Sequence, residues 1–290
     1  FIKMLRGAIK RNDPEGVLLG EVWEDASNKH SMGARREYVD GFELDGAMGY
    51  PFRSAVLDFL LGRIDAYGLN QRLGSLCENY PEPFLYAQMN LLGSHDTVRV
   101  LSALGGAPDR DALTRDQQAK YSLTEEQTLL GKRRLILATV LQASMPGVPC
   151  IYYGDEAGVT GMADPFNRTT FPWGDEDKEL FSTLRDIMRL RARSAALKRG
   201  WYAIAPLCAD AFAIIRSHGK DCVIAAVNRA GHEIKAAVSA GAFAQGPHPG
   251  IAPPDGLYAD ALSGNHFSCR EGRIELALPP YSAVLLKQER

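Results

Sequence analysis

The chain has 290 residues, a length that suggests two domains of ordinary size. Lysine plus arginine number 33 and aspartate plus glutamate 35, a formal charge of −2, so there is no basic field of the kind that holds a nucleic-acid backbone. Apolar residues make up 46%, too many for a disordered chain, and no run reaches the roughly 18 apolar residues of a membrane span, so neither nucleic acid nor membrane is an expected partner.

Residues 1–13 read as an amphipathic helix with no N-cap ahead of it. The sequence opens on Phe1 with no signal peptide, and the expectation is a piece of a longer protein. GVLLGEV (16–22) is a short, nearly continuous apolar run, expected as a strand buried on both faces. FELDGAM (42–48), NLLGSHD (90–96) and GVPCIYYGDE (147–156) are further strand candidates. Helices are expected over 51–62, with Pro51 in the first turn, and over 124–143, with Thr124 and Gln127 at capping-box spacing. A last helix carries Leu180, Leu184, Ile187 and Leu190 on one face, with Asp175 as its expected cap. The polar stretch 105–123 reads as a surface insertion. Strands alternating with helices imply parallel βαβ units.

Past residue 198 the texture changes. FAIIRS (212–217), CVIAAVN (222–228), GRIELAL (272–278) and SAVLLK (282–287) are short strands divided by turns, with a Pro/Gly loop at 241–256. The expected fold is α/β: the C-terminal half of a (β/α)8 barrel over residues 1–198, then an all-β sandwich over 199–290. Five cysteines at irregular spacing, with no CxxC pair, suggest reduced buried thiols rather than a disulfide framework or zinc site. The compartment is left open, with a lean to the cytoplasm.

In a parallel barrel the working groups stand at the carboxyl ends of the strands. Two candidate strands end in acids, Glu21 and Asp96. Desolvating a carboxylate at the end of an apolar strand is costly, so two such ends favour chemistry over decoration. A carboxyl pair across a barrel mouth suits glycoside hydrolysis, in which one acid protonates the leaving oxygen and a carboxylate faces the cationic sugar ring. Trp23 can wall the acid or stack on a pyranose ring, and can equally be a packing residue. A metal site on Glu21, His95 and Asp96 is a competing reading, weakened because the other histidines are scattered.

GVLLGEVWEDAS resembles the fifth-strand motif of the α-amylase family of glycoside hydrolases. NLLGSHDTVR resembles the seventh-strand motif, with Ser-His-Asp in place of the commoner Asn-His-Asp, as in its neopullulanase, cyclomaltodextrinase and amylopullulanase-like branches. MPGVPCIYYGDEAGVTGMADPFNRTTFPW resembles the eighth strand and its following loop. The resemblance implies a retaining α-glucan hydrolase acting on α-1,4 links, with α-1,6 links left open. It makes Glu21 the general acid/base, Asp96 the transition-state-stabilising carboxylate and His95 a hydroxyl-binding imidazole. Asp164 and Arg168 become substrate-binding residues, the two also being compatible with a plain ion pair; Trp23 joins them as a substrate-binding candidate on the stacking reading above. Asp155 and Glu156 read as supporting residues.

The family's nucleophilic aspartate has no counterpart in this sequence and is expected upstream of Phe1. The segment alone is therefore expected to be inactive, to bind an α-glucan oligosaccharide at most, and to associate through exposed barrel edges with itself or with a missing N-terminal half. No cofactor is implied by this segment; calcium elsewhere in the parent stays open. Glu24, where many relatives place histidine, leaves leaving-group-side specificity open. A transglycosylase or branching enzyme uses the same groups and differs only in its acceptor.

Overall fold

A computed structural model describes residues 1–243 and 251–289. Four short strands form one wall: β1 (Leu19–Gly20), β2 (Gly46–Ala47), β3 (Met89–Leu91) and β4 (Val148–Cys150). β1 pairs with β2 in parallel, a single Met48–Met89 bridge joins β2 to β3, and β3 pairs in parallel with β4. The order along the wall is the chain order, as in successive βα units of a barrel.

Helices fill the connections. α1 (Ile2–Asn12) precedes β1, and α2 (Tyr50–Leu60), α3 (Ala66–Asn79) and α4 (Glu82–Ala87) lie between β2 and β3. α5 (Val100–Leu104), α6 (Arg115–Lys120) and α7 (Glu125–Ser144) lie between β3 and β4, with α8 (Lys178–Arg193) and α9 (Ala195–Arg199) after β4. α7 starts on the expected capping box: the Thr124 hydroxyl accepts from the Gln127 amide, and the Gln127 side chain accepts from the Thr124 amide. α8 starts two residues later than expected, because Asp175 is held in a turn to the Pro172 carbonyl while Asp177 accepts from the Leu180 amide as the cap. The 105–123 stretch is largely surface, as expected, yet forms α6 on a second capping box at Thr114 and Gln117.

The strands are shorter than the apolar runs, and β1 is not buried on both faces. Val17, Leu19 and Glu21 are exposed on one side, whereas Leu18 packs on the core and Val22 is buried. Helices cover only one face of this wall, so the alternate residues of a nearly continuous apolar run meet solvent. Val148 at the start of β4 and Ile151 just past it are exposed in the same way.

Eight antiparallel strands follow: β5 (Trp201–Cys208), β6 (Ala211–His218), β7 (Asp221–Asn228), β8 (Ile234–Ser239), β9 (Gly256–Asp260), β10 (His266–Cys269), β11 (Arg273–Leu278) and β12 (Ser282–Gln288). Six form one sheet in the order β10-β9-β12-β7-β6-β5, and β8 pairs with β11 as the second layer. Four of the strands were expected; β5, β8, β9 and β10 were not. Residues 244–250 of the expected Pro/Gly loop lie outside the described residues.

β5, β6, β7 and β12 of the large sheet are buried on both faces, and strict alternation sorts their side chains. Tyr202, Ile204, Phe212, Ile214, Val223, Ala225, Val227 and Leu285 join the core shared with the helices. Ala203, Ala205, Ala213, Ile215, Ile224 and Ala226 face the second sheet. Tyr202, Phe212 and Tyr258 are thus core residues, whereas Trp201 is exposed.

The joint between the two parts is polar at its centre. The α7 C-terminus leaves carbonyls without helical partners. Buried Arg216 on β6 donates to Ser144 O at 2.7 Å and to Gly200 O at 2.8 Å. Arg191 on α8 donates to Ala143 O and Leu197 O, each at 2.7 Å, and also to Gly147 O. Among the described residues neither arginine meets a carboxylate; the negative end of α7 takes that place. Burial lowers both guanidiniums to about 10, so they are charged at neutral pH. Gly200 is required at this joint, since a Cβ would lie 2.5 Å from both Ala196 O and Ser217 O.

Candidate active site

Glu21 is the first residue beyond β1, and its carboxyl continues the exposed face of Val17 and Leu19. Asp96 stands five residues past β3 rather than on it. Its position comes from a loop, residues 92–97, that is fastened from outside. Buried Asn167 donates to His95 O at 2.7 Å and Thr97 O at 2.8 Å, with a third contact to Ser94 O at 3.3 Å. Thr97 Oγ1 in turn accepts from the Ser94 amide.

The result is convergence. One carboxylate oxygen each from Glu21 and Asp96 and one His95 ring nitrogen all lie within 4.8 Å of one another. His95 Nε2 sits 3.2 Å from Asp96 Oδ2. Arg168 Nη2 reaches Asp96 Oδ1 at 3.3 Å, and its Nε pairs with Asp164 Oδ1 at 2.6 Å. Asp164 and Arg168 are therefore an ion pair, and one that extends to the site. The Asp164–Pro165 peptide between them is cis. Tyr50, the first residue of α2, donates to Glu21 Oε1 at 3.1 Å. Trp23 stacks on the Tyr50 ring at 3.7 Å and 12°, leaving its other face half exposed. Trp23 and Asp96 also border a cavity of about 330 Å³ whose far wall includes Arg53, Leu57 and Pro108. Glu24, just outside, is held by Lys29 at 2.6 Å.

Glu21 Oε1 meets the Tyr50 hydroxyl and the two Asp96 oxygens meet His95 and Arg168, while Glu21 Oε2 has no hydrogen-bond partner among the described residues. The cluster can hold the hydroxyls of a sugar and can offer or take a proton at Glu21.

Below the loop lies a buried pair, Asp155 with Arg99 at 3.1 Å. Gly93 packs directly on it: a Cβ there would meet Asp155 Oδ2 at 2.2 Å. Arg99 also donates to Tyr153 O and lies over the Tyr152 ring at 4.4 Å. Burial pushes the Asp155 carboxyl up to about 7, against the pull of Arg99. A folded-state value above the unfolded one means the native state binds the extra proton. Stability should therefore fall as pH rises from about 4 to about 7 and then level off. Melting temperatures of the parent and of Asp155→Asn across that range check this. The variant should lose that part of the slope; an identical slope in both would contradict it.

Tyr50 and Asn167 were not marked by sequence reasoning. Tyr50 had a usable signal, being the first hydroxyl side chain after an expected strand. Asn167 sits inside the DPFNR segment, where nothing local announces a bond to a loop 70 residues away.

Residues 1–197 match the family model "Alpha amylase, catalytic domain". The chain belongs to the α-amylase catalytic-domain family. It is 34% identical over 303 residues to an amylopullulanase of Thermoanaerobacter thermohydrosulfuricus, covering 97% of this chain and 19% of that protein. It is 32% identical over 242 residues to a cyclomaltodextrinase of a Bacillus species, covering 81% of this chain and 38% of that one. A solved cyclomaltodextrinase structure superposes with a TM-score of 0.78 at 25% identity, over 99% of this chain and 42% of that one. The chain thus spans well under half the length of these family members. The family match agrees with the half-barrel plus β-sandwich architecture expected from the motifs.

Proposed function

We propose that the chain is the acid/base-bearing part of a retaining α-glucan hydrolase that cleaves α-1,4 and α-1,6 glucosidic bonds. The observation that carries this reading is the meeting of Glu21, His95 and Asp96 within 4.8 Å, on loops following different strands of one wall. In this reading Glu21 gives its proton to the glycosidic oxygen as the bond to the anomeric carbon breaks, then takes one from the water that completes turnover. Asp96, oriented by His95 and Arg168, holds the hydroxyls of the distorted sugar ring. Asp164 steadies Arg168, and Trp23 offers its open face to a neighbouring glucosyl unit. The nucleophile belongs to a preceding segment of a longer polypeptide, in keeping with the small share of the relatives' length that this chain spans. The exposed wall face at Val17, Leu19 and Val148 is where that segment, or a second copy of this chain, would pack. Residues 1–198 serve as the catalytic part and 199–290 as the sandwich, and no cofactor is assigned to either.

Assay of pullulan and maltotriose with the 290-residue chain alone and with the longer protein tests the proposal. Hydrolysis by the longer protein only is the expected result. Turnover by the chain alone, proportional to its concentration, would overturn the placement of the nucleophile. Failure of the longer protein on both sugars would overturn the activity itself.

A further inference from the structure

The two acids are linked by a chain of hydrogen bonds that does not use the ion pairs around Asp96. Tyr50 Oη donates to Glu21 Oε1 at 3.1 Å and lies 3.2 Å from Ser94 Oγ. Ser94 Oγ accepts from the Asp96 amide at 3.2 Å. Each hydroxyl has one proton to give. Because the Tyr50 proton goes to the carboxyl, the Ser94 proton is left for the Tyr50 oxygen. The chain then runs in one sense, from the Asp96 amide through Ser94 and Tyr50 to Glu21.

Both links are rigid. Tyr50 is 2% and Ser94 5% exposed, and the Tyr50 ring is clamped by Trp23. Glu21, by contrast, is an exposed side chain just past a two-residue strand, and the Tyr50 bond is its only hydrogen bond among the described residues. Burial and the nearby carboxylates raise the Tyr50 phenol above its ordinary value, so it remains a donor through the working pH range. The other titratable groups facing Glu21 are His95 and Asp96, with Arg168 behind Asp96.

We infer that Tyr50 is a positioning residue for the proton donor: it fixes Glu21 through Oε1 and leaves Oε2 to face the glycosidic oxygen, while Ser94 keeps the Tyr50 hydroxyl turned. This rests on Glu21 being the acid/base.

Tyr50→Phe in the longer protein removes one oxygen and keeps the ring stack. The expected result is a fall in kcat of about tenfold, with KM changed less than about twofold, as for loss of one charge-assisted bond felt in the transition state. The loss should shrink on an aryl maltoside whose leaving group needs little protonation. Ser94→Ala should move both readouts the same way, and Ser94→Thr, which keeps the hydroxyl, should restore them. Wild-type kcat in Tyr50→Phe would overturn the inference. So would a fall in kcat with equal loss on the activated substrate, since that is the mark of a merely structural lesion. If Glu21→Gln were itself fully active, the acid/base reading would fail first, and that outcome is separable from the others.

Discussion

Glu21→Gln in the longer protein should lower kcat on maltotriose and pullulan by about 10²–10⁴, with KM nearly unchanged. The substitution keeps size and shape and still accepts the Tyr50 hydrogen bond at the oxygen end, so the loss isolates the proton. Glu21 is exposed, so folding should be untouched. Steady-state rates on a natural glucan and on an activated aryl maltoside check the assignment. The aryl substrate should retain far more of its first-step rate, because its leaving group departs without help. Equal losses on both substrates would mean that Glu21 orients rather than donates.

Arg216→Ala should destabilise the protein by about 2–4 kcal/mol, although the residue is far from any chemistry. The guanidinium is fully buried and answers carbonyls at the α7 C-terminus and at Gly200. Tyr86 also donates to Gly200 O at 2.7 Å, so that carbonyl keeps one partner, whereas Ser144 O loses its bond from the guanidinium. The cost combines an orphaned helix-end carbonyl with the volume removed between barrel and sandwich. Urea unfolding gives the measurement, with Arg273→Ala as control. Arg273 is exposed and pairs with Glu275 on the surface, where such a contact contributes at most about 1 kcal/mol. Equal midpoints for Arg216→Ala and its parent would show that the joint does not depend on this side chain.

Much of the architecture could be read from residue patterns, for identifiable reasons. α2 and α7 carried local signals, Pro51 in the first turn and the Thr124–Gln127 box, that act within one turn of helix. The strands ending near Glu21 and Asp96 were visible as apolar runs. Their true extent was not, because two to three residues of pairing per strand depend on neighbours far along the chain. β5 was hidden by Pro206 and β8 by its Ala-rich alternation, whose meaning appears only when Ile234 and Val238 face the larger sheet. The acids of the site were legible because a carboxylate after an apolar run is unusual in itself. The groups that hold them were not. Asn167 and Arg99 act through contacts made across long stretches of chain that no spacing rule encodes, whereas Tyr50 was signalled only by its place just after an expected strand.

The most direct measurement is a crystal structure of the longer protein carrying Glu21→Gln, soaked with a maltooligosaccharide. One glycosidic oxygen should lie within hydrogen-bonding reach of the side-chain amide introduced at position 21. The hydroxyls of the adjoining ring should rest on Asp96 and His95, with Arg168 behind them. A sugar bound elsewhere on the molecule, with both positions 21 and 96 free of it, would contradict the account.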